Sequence, residues 1–316
     1  MPDKPQATRI VQADPAAIAQ AAALLRAEGL VAVPTETVYG LAARADSAAA
    51  VAAIYRAKGR PDFNPLIVHV SSLEAARDLA EFDDRALRLA AAFWPGALTL
   101  VLPLRKAARI APAVTAGLPT IALRCPAHAV MQALLEVTGL ALAAPSANRS
   151  GAVSPTRAEH VAASLGAAVP LVLDGGPCNA GIESTIVALR TDGSWQLLRP
   201  GPIAQEDISH VLGTDAVEVT AGKVEAPGQL ASHYAPGKPV RLNARDAAAD
   251  EFLIGFGKFG GDANLSPASD LAEAAARLYE CLHLAAAALQ PRIAVAPVPN
   301  QEIGAAINDR LRRAAA

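Results

Sequence analysis

Lys58-Gly59-Arg60-Pro61, followed by Asn64-Pro65-Leu66 and His69, sets two cations one residue apart in a turn that Gly and Pro keep from being helical. An amide and an imidazole then border the short apolar run Leu66–Val70. Arg offers a bidentate fork and Lys a mobile point charge, so the pair suits a phosphate chain. Four further polar clusters punctuate the chain. Pro34-Thr35-Glu36-Thr37-Val38-Tyr39-Gly40 gathers two hydroxyls, a carboxylate and a phenol. Thr120 and Arg124 share one strand face by period-two alternation, and an arginine there wants a carboxylate. Ala144-Pro145-Ser146-Ala147-Asn148-Arg149-Ser150-Gly151, then Ser154-Pro155-Thr156, offers hydroxyls and backbone N–H groups at a helix start, a setting for an anion. Asp174-Gly175-Gly176, Glu183-Ser184-Thr185-Ile186 and Arg199-Pro200-Gly201 make the last cluster.

Singly, each cluster reads as an exposed basic loop, a helix cap, an internal salt bridge or a Ser/Asn turn. Together they supply cations for phosphates, Ser, Thr and Asn for a nucleotide, and His plus Arg for an amino-acid-like substrate. No nucleotide fingerprint is present: there is no G-x-x-x-x-G-K-[ST], and no G-x-G-x-x-G opens a helix. The Gly-rich stretch after a strand at Phe252–Gly261 reads as a tight turn. H-E-x-x-H and G-x-S-x-G are also missing, and Cys125 between Arg124 and Pro126 is a poor candidate for an activated thiol.

The elements that must position these residues are legible in outline. Asp14 caps a helix that begins at Pro15 and ends at Gly29. Strands are predicted at Leu30–Val33, Leu66–Val70, Ala97–Leu102, Thr120–Leu123, Leu140–Ala144, Val169–Leu173, Ser184–Leu189 and Trp195–Leu198. Helices are predicted at Asp46–Lys58, Ser72–Ala80, Asp84–Phe93, Ala127–Val137 and Thr156–Leu165. This alternation predicts an α/β domain with a mixed, largely buried sheet over residues 1–212. Residues 213–238 read as a linker, carrying Gly228-Gln229-Leu230-Ala231-Ser232-His233-Tyr234-Ala235-Pro236. Residues 239–316 read as a small α/β domain, with strands at Phe252–Phe256 and Ile293–Pro297 and helices at Asp270–Leu289 and Glu302–Arg312.

Composition bounds the function. With 316 residues, 52% hydrophobic and 18% charged, the chain can bury two cores. Net charge is −2, and neither half is a basic module: 18 Lys+Arg face 18 Asp+Glu in residues 1–212, and 10 face 12 in residues 213–316. A dedicated duplex binder is thereby excluded, and any nucleic-acid contact must be local. Three cysteines without a C-x-x-C, and a polar Met1–Arg9, point to a reducing cytoplasm with no membrane segment.

In their order, Pro34–Gly40, Lys58-x-Arg60 with Asn64 and His69, Phe93-Trp94-Pro95-Gly96-Ala97-Leu98-Thr99, Arg124-Cys125-Pro126, Ala144–Asn148, Ser154-Pro155-Thr156 and Ser184-Thr185-Ile186 resemble the YrdC-like domain of L-threonylcarbamoyladenylate synthases. Ser232-His233-Tyr234-Ala235-Pro236 and the C-terminal domain resemble the long, two-domain form, although Pro239–Ala316 is short for it. The resemblance implies a YrdC-like twisted open sheet with flanking helices and a small Rossmann-like C-terminal domain. It implies condensation of L-threonine, bicarbonate and ATP, with Mg²⁺ on the triphosphate, to threonylcarbamoyl-AMP and pyrophosphate. The product serves modification of adenosine 37 in tRNAs reading ANN codons, through a downstream transferase machinery and with at most weak tRNA contact.

By the same resemblance Arg60, Asn64, Thr120, Ser146, Asn148, Ser154, Arg199 and Tyr234 contact ATP, with Lys58 and Arg60 the catalytic cations. Thr35, His69, Arg124, Ala144 and Ser184 hold threonine, and the linker with Tyr234 is a flap over the nucleotide. No metal ligand from the protein is assigned. A carbamoyl-transfer enzyme with another donor, an RNA-binding module and a nucleotide sensor are the competing readings.

Overall fold

The structure, a computed structural model, describes residues 8–61, 63–218, 225–227 and 233–316. The linker segment Gly228–Ser232 therefore lies outside the described residues, whereas His233 and Tyr234 fall within them. The first unit contains β1 (Arg9–Gln12), α1 (Pro15–Arg26), β2 (Val31–Val33), β3 (Gly40–Arg44), α2 (Ala48–Lys58), β4 (Ile67–His69), α3 (Leu73–Arg77), α4 (Asp84–Phe93) and β5 (Leu98–Pro103). It continues with α5 (Pro112–Thr115), β6 (Thr120–Arg124), α6 (Ala129–Thr138), β7 (Leu142–Ala143), α7 (Ala158–Leu165), β8 (Leu171–Asp174), β9 (Thr185–Leu189), β10 (Trp195–Arg199) and α8 (Gln205–Leu212). The second holds β11 (Val240–Arg241), β12 (Glu251–Gly255), β13 (Ala263–Asn264), α9 (Leu271–Ala287), β14 (Arg292–Val295) and α10 (Ile303–Ala314).

Among the described residues the first unit forms one mixed sheet in the order β1-β8-β2-β3-β7-β4-β6-β5-β9-β10, and the second a parallel sheet in the order β11-β14-β12-β13. Local chemistry sets the helix ends that matter. Asp14 accepts from the Ala17 N–H at 2.7 Å with Pro15 in the first turn, and the Ser47 hydroxyl starts α2 the same way. Gly59, at φ 59°, ends α2 in the left-handed region, so Lys58 stays in the last helical turn while Arg60 turns away from it. Composition gave no warning of β1 and β3. β1 is a largely exposed edge strand, and β3 hides behind the polar loop that precedes it. Helix α8 lies where the periodicity fades, yet Ile208 and Leu212 bury into the main core.

Gly255-Phe256-Gly257-Lys258-Phe259-Gly260 has the spacing of a dinucleotide fingerprint but folds back on itself. A Cβ on Gly255 would meet the Phe259 carbonyl at 2.1 Å, and the loop leads into β13 rather than a helix. The expected tight turn is what forms.

The two units share an apolar core. Val38, Val153, Ile182 and Tyr234 pack with Phe252, Leu278, Tyr279, Leu282, Ile307 and Leu311. Three of these, Val38, Val153 and Ile182, come from loops that carry the polar clusters. Gly181 makes the approach possible: at φ 69° its missing Cβ would lie 2.3 Å from the Ala276 Cα in α9. Gly181→Ala is therefore expected to cost roughly 2–4 kcal/mol through strain and clash. Urea unfolding of the full chain checks this, and an unchanged midpoint would contradict it.

Candidate active site

Strand register assembles the site. β4 runs parallel to β6 with His69 opposite Arg124, and β7 pairs antiparallel with β4, setting Leu142 beside His69 and Ala144 just past the strand end. A bridge joins Gly40 to Ser146. One cavity at these strand ends is lined by Thr35, Arg60, His69, Arg124, Ala144, Ser146, Ser184, Arg199 and Tyr234, all expected from the sequence. It is nearly shut: its free interior is about 50 Å³, room for a few waters, and the envelope reaches about 540 Å³ only when the open mouth is included. Thr37, Val38, Gly40, Ile67, Pro145, Glu183, Pro227 and His233 complete the wall.

Arg124 is held on three sides. Its Nε donates to the Gly96 carbonyl at 3.1 Å, its guanidinium to the Thr37 hydroxyl at 2.8 Å, and it pairs with the Glu36 carboxylate at 2.6 Å. Thr35 extends this line through Thr37 at 2.9 Å and donates to the Val38 carbonyl at 2.7 Å. Burial opposes ionisation of Glu36, but the charge and hydrogen bond of Arg124 prevail and lower its pKa. His69 is buried, with a pKa pulled down to about 3 first by desolvation and then by Arg124. It is a neutral imidazole, and its Nδ1 has no partner among the described residues.

The remaining cations meet carbonyls rather than carboxylates. Arg60 donates to the carbonyls of Asn64 at 3.3 Å and Pro65 at 3.0 Å. Arg199 donates to the Ser184 carbonyl at 3.0 Å and hydroxyl at 3.1 Å, and that hydroxyl meets Thr99 at 2.7 Å. Lys58 is buried, and its Nζ donates to the Ser146 and Asn148 carbonyls, each at 2.6 Å, tying α2 to the Ser/Asn loop. Burial, then the neighbouring Arg60, drives the Lys58 pKa well down. Desolvation brings Arg60 to about 10, so it stays charged at neutral pH.

Not every expected residue lines the cavity. Asn64 and Asn148 are buried beside it, each with a side-chain oxygen that has no partner among the described residues. Ser154 is fully buried and donates to Glu183 at 2.6 Å. Thr120 sits at the far end of β6 from Arg124, paired with Pro103, and is not among the lining residues. Cys125 is buried, and desolvation raises its thiol, which removes it as a nucleophile.

Sequence reading passed over Glu183 as a participant, and Tyr279 and Arg310 altogether. The Glu183 carboxylate also accepts from the Tyr279 hydroxyl at 2.8 Å and from Arg310 Nε at 3.0 Å. Arg310 had a legible signal: it interrupts the apolar stripe Ala306, Ile307, Leu311, Ala314 of α10. Desolvation would raise Glu183, but Arg310, Arg199, Ser154 and Tyr279 together hold it at about 2.

This arrangement can hold a polyanion beside a small zwitterion. Residues 23–201 match the Sua5/YciO/YrdC family model, described as telomere recombination, and residues 203–316 match the threonylcarbamoyl-AMP synthase C-terminal domain. The chain belongs to the threonylcarbamoyl-AMP synthase family. Within it, the Bacillus subtilis threonylcarbamoyl-AMP synthase is 48% identical over 71% of this chain and 66% of that protein. The Pyrococcus abyssi synthase is 38% identical over 93% of this chain and 92% of its own length. The crystal structure of P. abyssi Sua5 complexed with L-threonine superposes with a TM-score of 0.89 and 35% identity, covering 98% of both chains. The superposition spans both units of this chain.

Acid sensitivity follows from Glu183. Its carboxyl lies near 2 in the folded chain against an ordinary 4.5, so its stabilisation is complete above about pH 4.5 and lost as pH falls toward 2. Unfolding free energies measured from pH 5 to 2 should fall by roughly 3 kcal/mol more in the native chain than in Glu183→Gln. Parallel slopes would contradict this.

Proposed function

We propose that this chain, a nucleotidyltransferase of the threonylcarbamoyl-AMP synthase family, condenses L-threonine, bicarbonate and ATP to threonylcarbamoyl-AMP, pyrophosphate and water. The observation that carries the reading is a set of basic side chains, buried Lys58 and Arg199 and half-buried Arg60, with carbonyl and hydroxyl partners only among the described residues, next to Arg124 and a neutral His69 in strand register. Uncompensated buried positive charge favours a polyanion.

In this reading Arg124 takes the threonine carboxylate, with Glu36 yielding part of its hold. Neutral His69, Thr35 and Ser184 bind the hydroxyl and amine, and Ala144 shapes the floor. Arg60, Arg199 and Ser146 contact ATP from the cavity wall, with Asn64, Asn148 and Ser154 beside them, and Lys58 braces the loop that cradles its phosphates. Thr120, at the far end of β6, is left out of the contact set. The threonine amine adds to the carbon of bicarbonate, water leaves, and the carbamate oxygen attacks the α-phosphorus with departure of pyrophosphate. No residue need become covalently attached. The site's task is to align three reactants and to stabilise the growing charge on the leaving group.

Magnesium fits as a companion of the triphosphate. Among the described residues no three carboxylates, imidazoles or thiols converge on one point, so phosphates and water would hold the ion, which neutralises phosphate charge when bound. Tyr234 and Pro227 line a cavity too small for ATP, so these two residues would move aside to admit substrate and return to exclude water from the labile carbamate. Among the described residues no helix is long and apolar enough to cross a membrane. The reading places the protein in the cytoplasm, upstream of a tRNA threonylcarbamoyl-transferase.

Pyrophosphate release with ATP, bicarbonate and each amino acid in turn tests the reaction; release independent of threonine or bicarbonate refutes it. Arg124→Lys, which loses the fork, should raise the threonine KM about 30–300-fold and leave the ATP KM within about threefold. Arg60→Ala should do the reverse and also lower kcat by about 100-fold.

A further inference from the structure

The Glu183 carboxylate faces the cavity from the first unit, but two of its three hydrogen-bond donors belong to the second. Tyr279 reaches it from α9 and Arg310 from α10, and both side chains are fully buried. Arg310 also donates to the Pro200 carbonyl at 2.8 Å, beside Arg199. Its guanidinium lies 5.6 Å from the Tyr234 ring, which stacks on Tyr279 at 5.6 Å and 28°. One guanidinium therefore touches the loop before β9, the loop after β10 and the residue that covers the cavity. Gly201 shows how tightly these loops are packed: a Cβ there would lie 2.4 Å from the Thr185 nitrogen.

We propose that Arg310 and Tyr279 are positioning residues of the active site, through which the C-terminal unit fixes Glu183, Ser154, Arg199 and Tyr234 in the arrangement that receives the nucleotide. This rests on the reaction proposed above for its meaning, though not for its test. The chemistry is specific. With its proton given to Glu183, the Ser154 hydroxyl keeps only acceptor capacity for other partners. With Arg310 gone, Glu183 would be a buried carboxylate in search of a cation, and the nearest available is Arg199, whose guanidinium would be drawn from the cavity. Among the described residues the threonine anchors Arg124, Glu36, Thr35 and Thr37 share no hydrogen bond with this network, and Ser184, held by Arg199 through its carbonyl and hydroxyl, is the link between the two sides. The second unit should therefore govern nucleotide affinity much more strongly than threonine affinity.

The test compares the full-length native chain with Arg310→Met, Arg310→Lys, Tyr279→Phe and the charge-neutral double variant Glu183→Gln/Arg310→Met. Calorimetry measures binding of ATP and of L-threonine separately, and thermal melting reports folding. The double variant removes the buried charges together, so it should regain most of the stability that Arg310→Met loses. The expected result is ATP affinity weakened about 10–100-fold in both Met variants and about threefold in Tyr279→Phe, with threonine affinity within about twofold throughout. Arg310→Lys should recover part of the ATP affinity. If the double variant is stable and binds ATP like the native chain, or if both ligands weaken equally, the proposal fails. Should Arg310→Met not fold, the other variants decide by the same criteria. Because binding is read directly, failure of the native chain to release pyrophosphate would refute the reaction without touching this result.

Discussion

Buried positive charge is the constraint on which this structure turns. Lys58, Arg124, Arg199 and Arg310 are buried and Arg60 half-buried around one small volume, against three carboxylates, Glu36, Glu183 and Asp309. The fold makes this tolerable by spending backbone carbonyls at strand and helix ends: those of Ser146 and Asn148 on Lys58, of Asn64 and Pro65 on Arg60, of Ser184 on Arg199. Dipoles blunt the charge without cancelling it. The protein is thus built with an electrostatic deficit that a polyphosphate makes good.

Geometry then separates two kinds of recognition within one cavity. The parallel pairing of β4 with β6 fixes an imidazole opposite a guanidinium, on elements too short and too well paired to shift. The groups proposed to face phosphates come from loops, which need bracing: Lys58 ties the Ser/Asn loop to α2, and two side chains of the second unit hold the Glu183 carboxylate. Rigid strand ends suit a small amino acid that must be told from its relatives. Braced loops suit a larger nucleotide that enters and leaves.

Much of this was legible in the chain. Lys58-x-Arg60, His69, Arg124, Ser146, Ser184 and Arg199 are chemically conspicuous because they interrupt apolar segments or sit among glycines and prolines, and they do converge. Helix α4 and the caps of α1 and α2 follow from local propensity. Edge strand β1 has little apolar signature, and α8 is stabilised by burial rather than by its own sequence. Glu183, Tyr279 and Arg310 were the hardest to foresee. Their meaning lies in contacts between distant segments, and a buried ion pair has no local pattern beyond a charge in an apolar stripe. Glu36 was visible as a carboxylate, but only the fold shows it pairing with Arg124.

The Arg310–Glu183 contact joins residues 127 positions apart in the chain. On the ribosome, every strand of the larger sheet is made well before α10. The nascent protein can therefore form most of its cavity wall early, while Glu183 waits without its guanidinium. Full competence arrives late in synthesis, and a message cut short before α10 yields a polypeptide with the sheet but not the finished pocket.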